Sequence, residues 1–491
     1  MTEKQQPKQL KTAGIRKNIA LSTFYQILCI VTPLITAPYV SRVIGGKGIG
    51  IYSYTTSIQM YFSLFAALGT ASYGNRTIAR NRHDPYKRTI LFWEIELLTV
   101  LTSTVMLAAW GVFLLFAPTY RIYFCVLTIS LLNTMMDISW FYSGLEQFTY
   151  TVRQNTIFKL AGVILLFVLI KDENDLLLYI LLMTGSHLLG TMSMWMYLPR
   201  FLIRIDRKEL RVLRHLKETL VYFIPTIATS VYSVLDKTLI QWITHDPYQN
   251  GYYEQATKII NMVKSVTFTA LNAVLSSRIA FLFKEKKYDE IRKRIDDSIN
   301  YILFVGIGAC FGLIGVADRF VPVFFGPGYE EVIPILQLLS PVVVIIGISN
   351  CLGSHYFTPA GLRSKSAKFI ICGSVVNLCM NLMLIPRFKS IGAVIGTLAA
   401  ESVITVLYLI FCDGYLTCRQ LFERGWKKLT AGFLMLLAIR FVTTHITGNV
   451  QALLAGILCG TLYLLILLLL KDSFLFDIVR KQFRKKAGHS S

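Results

Sequence analysis

Charge is scarce in this chain, and acid scarcer still. Only 16% of its 491 residues are charged, and 28 acids face 50 Lys plus Arg. So little charge cannot cover a soluble globule of this size. Catalytic signatures are missing too. There is no HExxH, no GxSxG and no ATP-binding domain, and Gly45-Gly46-Lys47-Gly48 lacks both the Walker spacing and a preceding soluble strand. Any energy source is therefore an ion gradient, the substrate's own gradient or a separate protein. None of the nine cysteines stands in a CxxC or His-paired spacing, so they read as helix-packing residues, and no disulfide, metal or cofactor is implied. A cleavable signal is not expected, because the polar, basic N-terminus leads into an apolar run too long for one.

What the chain has instead is hydrophobic length. Apolar residues make up 54% of the composition and the mean hydropathy is +0.54. Fourteen runs are each about long enough to cross a ~30 Å hydrocarbon core as a helix. They fall at 18–40, 49–70, 89–116, 120–142, 156–171, 176–198, 219–243, 252–276, 298–317, 332–354, 367–386, 391–412, 428–447 and 450–470. Backbone groups in lipid must be satisfied within their own segment or in a closed barrel, and runs this long and continuous favour helices. The expected fold class is an all-α integral membrane protein.

A formal charge of +22 invites a nucleic-acid reading, but the placement of the cations decides against it. Most lie at the two termini and in every second loop, with clusters at 200–217, 278–294 and 480–486. By the positive-inside rule that side is cytoplasmic, which predicts a multi-pass protein of a bacterial inner membrane with both termini inside.

The basic segment 200–218 separates a six-span lobe at 1–199 from a second at 219–412, leaving two further helices and a basic tail at 413–491. The halves share a local pattern. Gly50, Tyr52, Thr56 and Ile58 recur as Gly251, Tyr253, Thr257 and Ile259 at a constant offset of 201, each stretch opening the second span of its half. Two such halves in one orientation are parallel repeats. The last two helices, rich in leucine and carrying Arg440, read as a lipid-facing pair, with a lipid-binding groove as the alternative.

An ionisable group at bilayer depth costs a few kcal/mol and is a default site candidate. Span seven carries Asp236 and Lys237; span eight carries Lys258, Asn261 and Lys264, with Glu254 four residues before Lys258 where the two can pair. Two lysines with one adjacent acid leave excess positive charge, suited to phosphate or pyrophosphate. The competing reading is an ion pair between Asp236 and a lysine that only locks helices together. Asp137 in span four, at i, i+4 from Asn133, and Glu401 in span twelve, between Thr397 and Thr405, are placed to bind a coupling proton or sodium ion, or equally to pack by hydrogen bonds. His187 reads as a satisfied interior histidine.

Several segments carry a family resemblance. Ser41-Arg42-Val43-Ile44-Gly45, Gly48-Ile49-Gly50-Ile51-Tyr52-Ser53-Tyr54, Tyr73-Gly74-Asn75-Arg76, Leu235-Asp236-Lys237-Thr238, Gly251-Tyr252-Tyr253-Glu254-Gln255-Ala256-Thr257-Lys258 and Phe325-Gly326-Pro327-Gly328-Tyr329 resemble the corresponding parts of Wzx-type polysaccharide flippases. The resemblance implies the multidrug/oligosaccharidyl-lipid/polysaccharide exporter fold, two six-helix lobes around a cavity plus two helices. It implies movement of an undecaprenyl-pyrophosphate-linked oligosaccharide across the membrane, with membrane lipids and polysaccharide assembly proteins as partners and no nucleic acid. A peptidoglycan-precursor flippase and a cation-coupled multidrug exporter are the alternatives. A membrane polymerase or ligase fits less well, since no outer loop is long enough to hold a catalytic site.

Overall fold

The computed structural model describes residues 15–117 and 119–476, apart from a few side chains in the first, eighth and ninth helices. The basic cluster at 480–486 lies outside the described residues. The chain divides into two compact units, residues 1–238 and 239–491. Both are helical, and among the described residues there is no strand.

The first unit contains α1 (Ile15–Ala67), α2 (Thr70–Arg80), α3 (Pro85–Phe116), α4 (Arg121–Met136), α5 (Ser139–Gly144), α6 (Phe148–Leu169), α7 (Leu176–Trp195) and the start of α8 (Leu216–Thr244). The expected spans 18–40 and 49–70 are the two halves of α1, separated by non-helical backbone at Gly45 (φ 72°). That left-handed φ suits glycine, which has no Cβ to clash. Pro33 and Pro38 lie within the first half without ending it. Asp84 starts α3 by accepting the N–H groups of Tyr86 and Lys87, with Pro85 in the first turn where no donor is needed. An aromatic cluster of Phe92, Trp140, Phe141, Tyr142 and Phe201 joins α3, α5 and the chain after α7.

Segment 200–218 is fastened to this unit. Arg88 donates to the Phe201 carbonyl at 2.6 Å, and the Ile203 N–H to Thr89 Oγ1 at 3.2 Å. Tyr86 donates to Glu209 at 2.5 Å. Glu94, with no exposed surface, accepts from the Arg211 N–H at 2.6 Å and from Arg214 at 2.5 Å, and lies 2.9 Å from His215 Nε2. The other ring nitrogen of His215 meets the Tyr73 hydroxyl at 2.8 Å. A basic stretch that reads as a linker is thus pinned by buried groups.

The second unit contains α9 (Pro247–Lys284), α10 (Tyr288–Phe325), α11 (Val332–Leu339), α12 (Val342–Leu352), α13 (Arg363–Ile410), α14 (Cys418–His445), α15 (Asn449–Leu458) and α16 (Gly460–Leu469). Asp246-Pro247 opens α9 as Asp84-Pro85 opens α3. The expected span 332–354 is broken between α11 and α12 at Pro341, whose ring cannot continue the ladder. Spans 367–386 and 391–412 form α13, turned at Lys389 (φ 52°). Its halves lie against each other through small residues: a Cβ on Gly392 would meet the Leu384 backbone at 2.6 Å, and one on Gly396 the Asn381 side chain at 2.4 Å.

Among the described residues, nine helical segments are long and apolar enough to cross a membrane, two of them, Thr23–Arg80 and Arg363–Ile410, at double length. With α8, α9 and α14 on the expected spans 219–243, 252–276 and 428–447, all fourteen expected spans fall on helices. Large apolar side chains such as Leu115, Phe116, Ile164, Phe441 and Leu469 are exposed, as faces solvated by lipid require.

The C-terminal helices are more polar inside than their leucine runs suggest. Arg440 pairs with Asp318 and Arg424 with Asp296, joining α14 to α10. Lys428, wholly buried, donates to Asn300 at 2.7 Å, to the Arg424 carbonyl at 2.8 Å and to Asp472 at 2.8 Å. Arg319 of α10 reaches Asn449 and the Thr443 carbonyl, both at 2.8 Å.

Candidate functional site

The residues singled out from sequence occupy three places. In the first unit, Asp236 is buried on α8, with Lys237 half-buried beside it. The next residue, Thr238, meets Ser57 Oγ at 3.1 Å and the Tyr61 hydroxyl at 3.0 Å, both from the second half of α1. Tyr61 lies within electrostatic reach of Asp236. The polar line continues at Ser63, which accepts from Thr134 of α4 at 3.1 Å. Hydroxyl contacts thus join α8 to α1 beside Asp236, and α1 to α4 nearby.

In the second unit, Lys258 and Lys264 are half-buried on α9, Asn261 is exposed and Glu254 half-buried, while Glu401 on α13 is 8% exposed. Lys264 and Glu401 lie within electrostatic reach of each other. The same two helices meet again where the Tyr253 hydroxyl contacts Thr397 Oγ1 at 3.3 Å, and Ser390 donates to Gln249 at 2.8 Å. Thr405, the last member of the Thr397, Glu401, Thr405 stripe, donates to the Ile345 carbonyl at 3.1 Å. An acid and a base that sequence spacing treated separately, Glu401 and Lys264, therefore share one polar seam.

Asp137 departs from expectation. Span four is not one helix: α4 ends at Met136, and Asp137 is extended (φ −77°, ψ 100°), accepting the Ser139 N–H at 2.9 Å to start α5. It does not share a helical face with Asn133, which instead accepts from Thr191 of α7 at 2.5 Å. Asp137's charged neighbour is Glu96 of α3, 1% exposed. Neither carboxylate oxygen of Glu96 has a hydrogen bond among the described residues; the Trp140 indole is beside it but outside hydrogen-bonding geometry.

Sequence reasoning passed over Glu94 and Glu96 because they stand near the start of their span, where acids are commonly solvated. It passed over Asn377 and Asn381 too. Both are fully buried on α13, the second donating to the first at 3.1 Å, and two amides at i, i+4 in an apolar run were the available signal. Lys159, close to the start of its expected span, was also missed.

These polar seams inside apolar helices are the setting in which the chain's relatives become informative. Residues 15–278 match the model of the polysaccharide biosynthesis protein family. The chain belongs to that family. A protein of Escherichia coli (strain K12) provisionally assigned as an O-antigen transporter is 23% identical over 406 residues, covering 81% of this chain and 96% of the relative. Among solved structures, the lipid II flippase MurJ in an inward closed conformation superposes with a TM-score of 0.70 at 16% identity, covering 94% of this chain and all of the other. A multidrug resistance MATE family transporter in an inward-facing conformation gives 0.61 at 13% identity, covering 81% and 97%. At these identities the structural likeness establishes the fold, that of a MATE-like multi-pass membrane protein.

Proposed function

We propose that this member of the polysaccharide biosynthesis protein family is a flippase that carries lipid-linked oligosaccharide units, on undecaprenyl pyrophosphate, across the bacterial cytoplasmic membrane for surface polysaccharide assembly. The family match over residues 15–278 carries the reading, and the similarity to a protein provisionally assigned as an O-antigen transporter, over 81% of this chain, supports it. The chemistry is translocation, with no covalent step. Lys237, Lys258, Lys264 and Asn261 are assigned to the sugar-pyrophosphate headgroup, because cations and amides stabilise an anion leaving the interface. Asp236, Glu254, Glu401 and Asp137 are assigned to charge balance or to a coupling proton or sodium ion. We read residues 1–199 and 219–412 as the two six-helix lobes, 200–218 as the segment between them and 413–491 as an addition. The density of Lys and Arg in alternate loops supports a cytoplasmic position for both termini.

The test is deletion of the gene followed by analysis of the lipid pool. The lipid-linked oligosaccharide accumulates in the inner leaflet, and the intact gene clears it while Lys258→Gln does so more slowly at equal membrane abundance. An unchanged lipid pool with altered drug tolerance refutes the reading in favour of a multidrug exporter. Accumulation of the peptidoglycan precursor favours that other flippase activity.

A further inference from the structure

Within the first unit, the first half of α1, α6 and α7 enclose a cavity of about 220 Å³ that is separate from the seams described above. Tyr25, Thr32, Asn155, Lys159, Ser186 and His187 supply its polar lining, and no acid lines it. Lys159 is eleven residues into α6, roughly 16 Å along the axis at 1.5 Å per residue, well inside the span. Its ammonium donates to Cys29 Sγ at 3.1 Å and lies 5.7 Å from the Tyr25 ring. Among the described residues it has no carboxylate partner. A thiol and a ring face are weak acceptors for a group with three donors, and a cation at this depth is costly without a partner.

The neighbouring groups are in the same condition. Among the described residues, the Asn155 amide, the Ser186 hydroxyl and the His187 ring line the cavity without making a hydrogen bond; His187, expected as a satisfied interior histidine, is instead exposed. Gly162 keeps that wall close, since a Cβ there would fall 2.7 Å from Ser186 Oγ. Around the cavity the helices turn apolar side chains outward: Ile157, Leu160 and Ile164 on α6, Leu189 on α7, Ile27 on α1. A largely apolar hollow that holds one cation and a few hydrogen-bonding groups, beneath a lipid-solvated surface, suits a group that is anionic at one end and hydrocarbon at the other. The volume is below the several hundred Å³ of drug-sized pockets, enough for a headgroup fragment and too small for an oligosaccharide.

We infer that the α1–α6–α7 cavity binds the phosphate of a lipid-borne phosphate ester, with Lys159 as its counter-ion and Asn155, Ser186 and His187 as hydrogen-bond partners. Taking that phosphate to be the pyrophosphate of a polyprenyl-linked substrate rests on the flippase reading; a phospholipid headgroup offers the same chemistry.

The test uses the full-length protein in nanodiscs, in a form retaining Cys29 as its sole cysteine, with a small methanethiosulfonate reagent as the probe of access. Undecaprenyl pyrophosphate is expected to slow Cys29 labelling at least fivefold and undecaprenol not at all. Lys159→Gln should weaken undecaprenyl pyrophosphate binding at least tenfold by native mass spectrometry, while Lys159→Arg retains it. If Lys159→Gln does not fold, protection of Cys29 in the Lys159 protein decides alone. Equal, Lys159-dependent protection by phosphatidylglycerol supports the phosphate site and overturns its assignment to the substrate. Labelling that neither lipid slows, or binding unaffected by Lys159→Gln, overturns the site. A protein that still clears its lipid-linked intermediate while giving that result leaves the flippase reading standing.

Discussion

Removing Asp472 should destabilise the protein far more than removing its partner Lys428. The pair is 2.8 Å apart, with side chains 3% and 0% exposed. At an effective dielectric of 20 the gross attraction is about 6 kcal/mol, and desolvating two ions consumes several kcal/mol each, so the intact pair is close to neutral. The asymmetry comes from what each deletion leaves behind. Asp472→Ala strands a buried ammonium on two neutral acceptors, Asn300 and the Arg424 carbonyl, at a cost of about 3–5 kcal/mol. Lys428→Met leaves a carboxylate that still accepts the N–H groups of Phe474 and Leu475 at 3.1 and 3.3 Å, and each such charge-assisted bond is worth about 1.5–3 kcal/mol. The smaller loss should be visible as the order of midpoints in denaturant unfolding of bicelle-reconstituted protein. The double variant Lys428→Met/Asp472→Ala should recover at least about 1 kcal/mol relative to the sum of the singles. Additive singles, or an Asp472→Ala protein within about 1 kcal/mol of the parent, would refute the argument.

Glu94→Ala should release segment 200–218, since it removes the acceptor of three donors; tryptic cleavage at Arg207, Lys208 and Arg211 is expected to accelerate at least tenfold while the rest of the chain stays protected. Gly69→Ala should lower stability by roughly 1–3 kcal/mol from its left-handed backbone alone, with more from a Cβ placed 2.8 Å from the Thr219 carbonyl and the Phe223 nitrogen; an unchanged melting temperature would remove Gly69 as a required close approach. Glu401→Gln and Lys264→Gln should each slow clearance of the lipid-linked intermediate, and if the two act as one seam the double variant should be no slower than the worse single.

The architecture was legible because lipid imposes one rule on every span: an apolar run of the right length becomes a helix, and Pro341 interrupts its run for the reason proline generally does. Spacing was less dependable where a polar backbone contact intervened. Asn133 and Asp137 look like neighbours on a helical face, yet Asp137 spends its carboxylate on the Ser139 N–H and ends the helix first. The lysines of α9 were found because they are ionisable groups inside an expected span. Pairing Lys264 with Glu401, 137 positions later, needs the packing of α9 on α13 and leaves no local trace. Glu94, Glu96 and Lys159 were hidden by a different ambiguity: near a span's end the same residue can sit in water or inside the protein, and only neighbours on other helices decide.

The fastening of segment 200–218 changes how the chain can be engineered. A basic, loop-like stretch invites shortening, tag insertion or a cut for expressing two fragments, on the assumption that it is a leash with length to spare. Here Phe201, Ile203, Glu209, Arg211, Arg214 and His215 are all anchor points, so trimming the stretch would pull bolts from the first unit. An insertion is better tolerated at exposed Arg204, between anchors, than anywhere near His215.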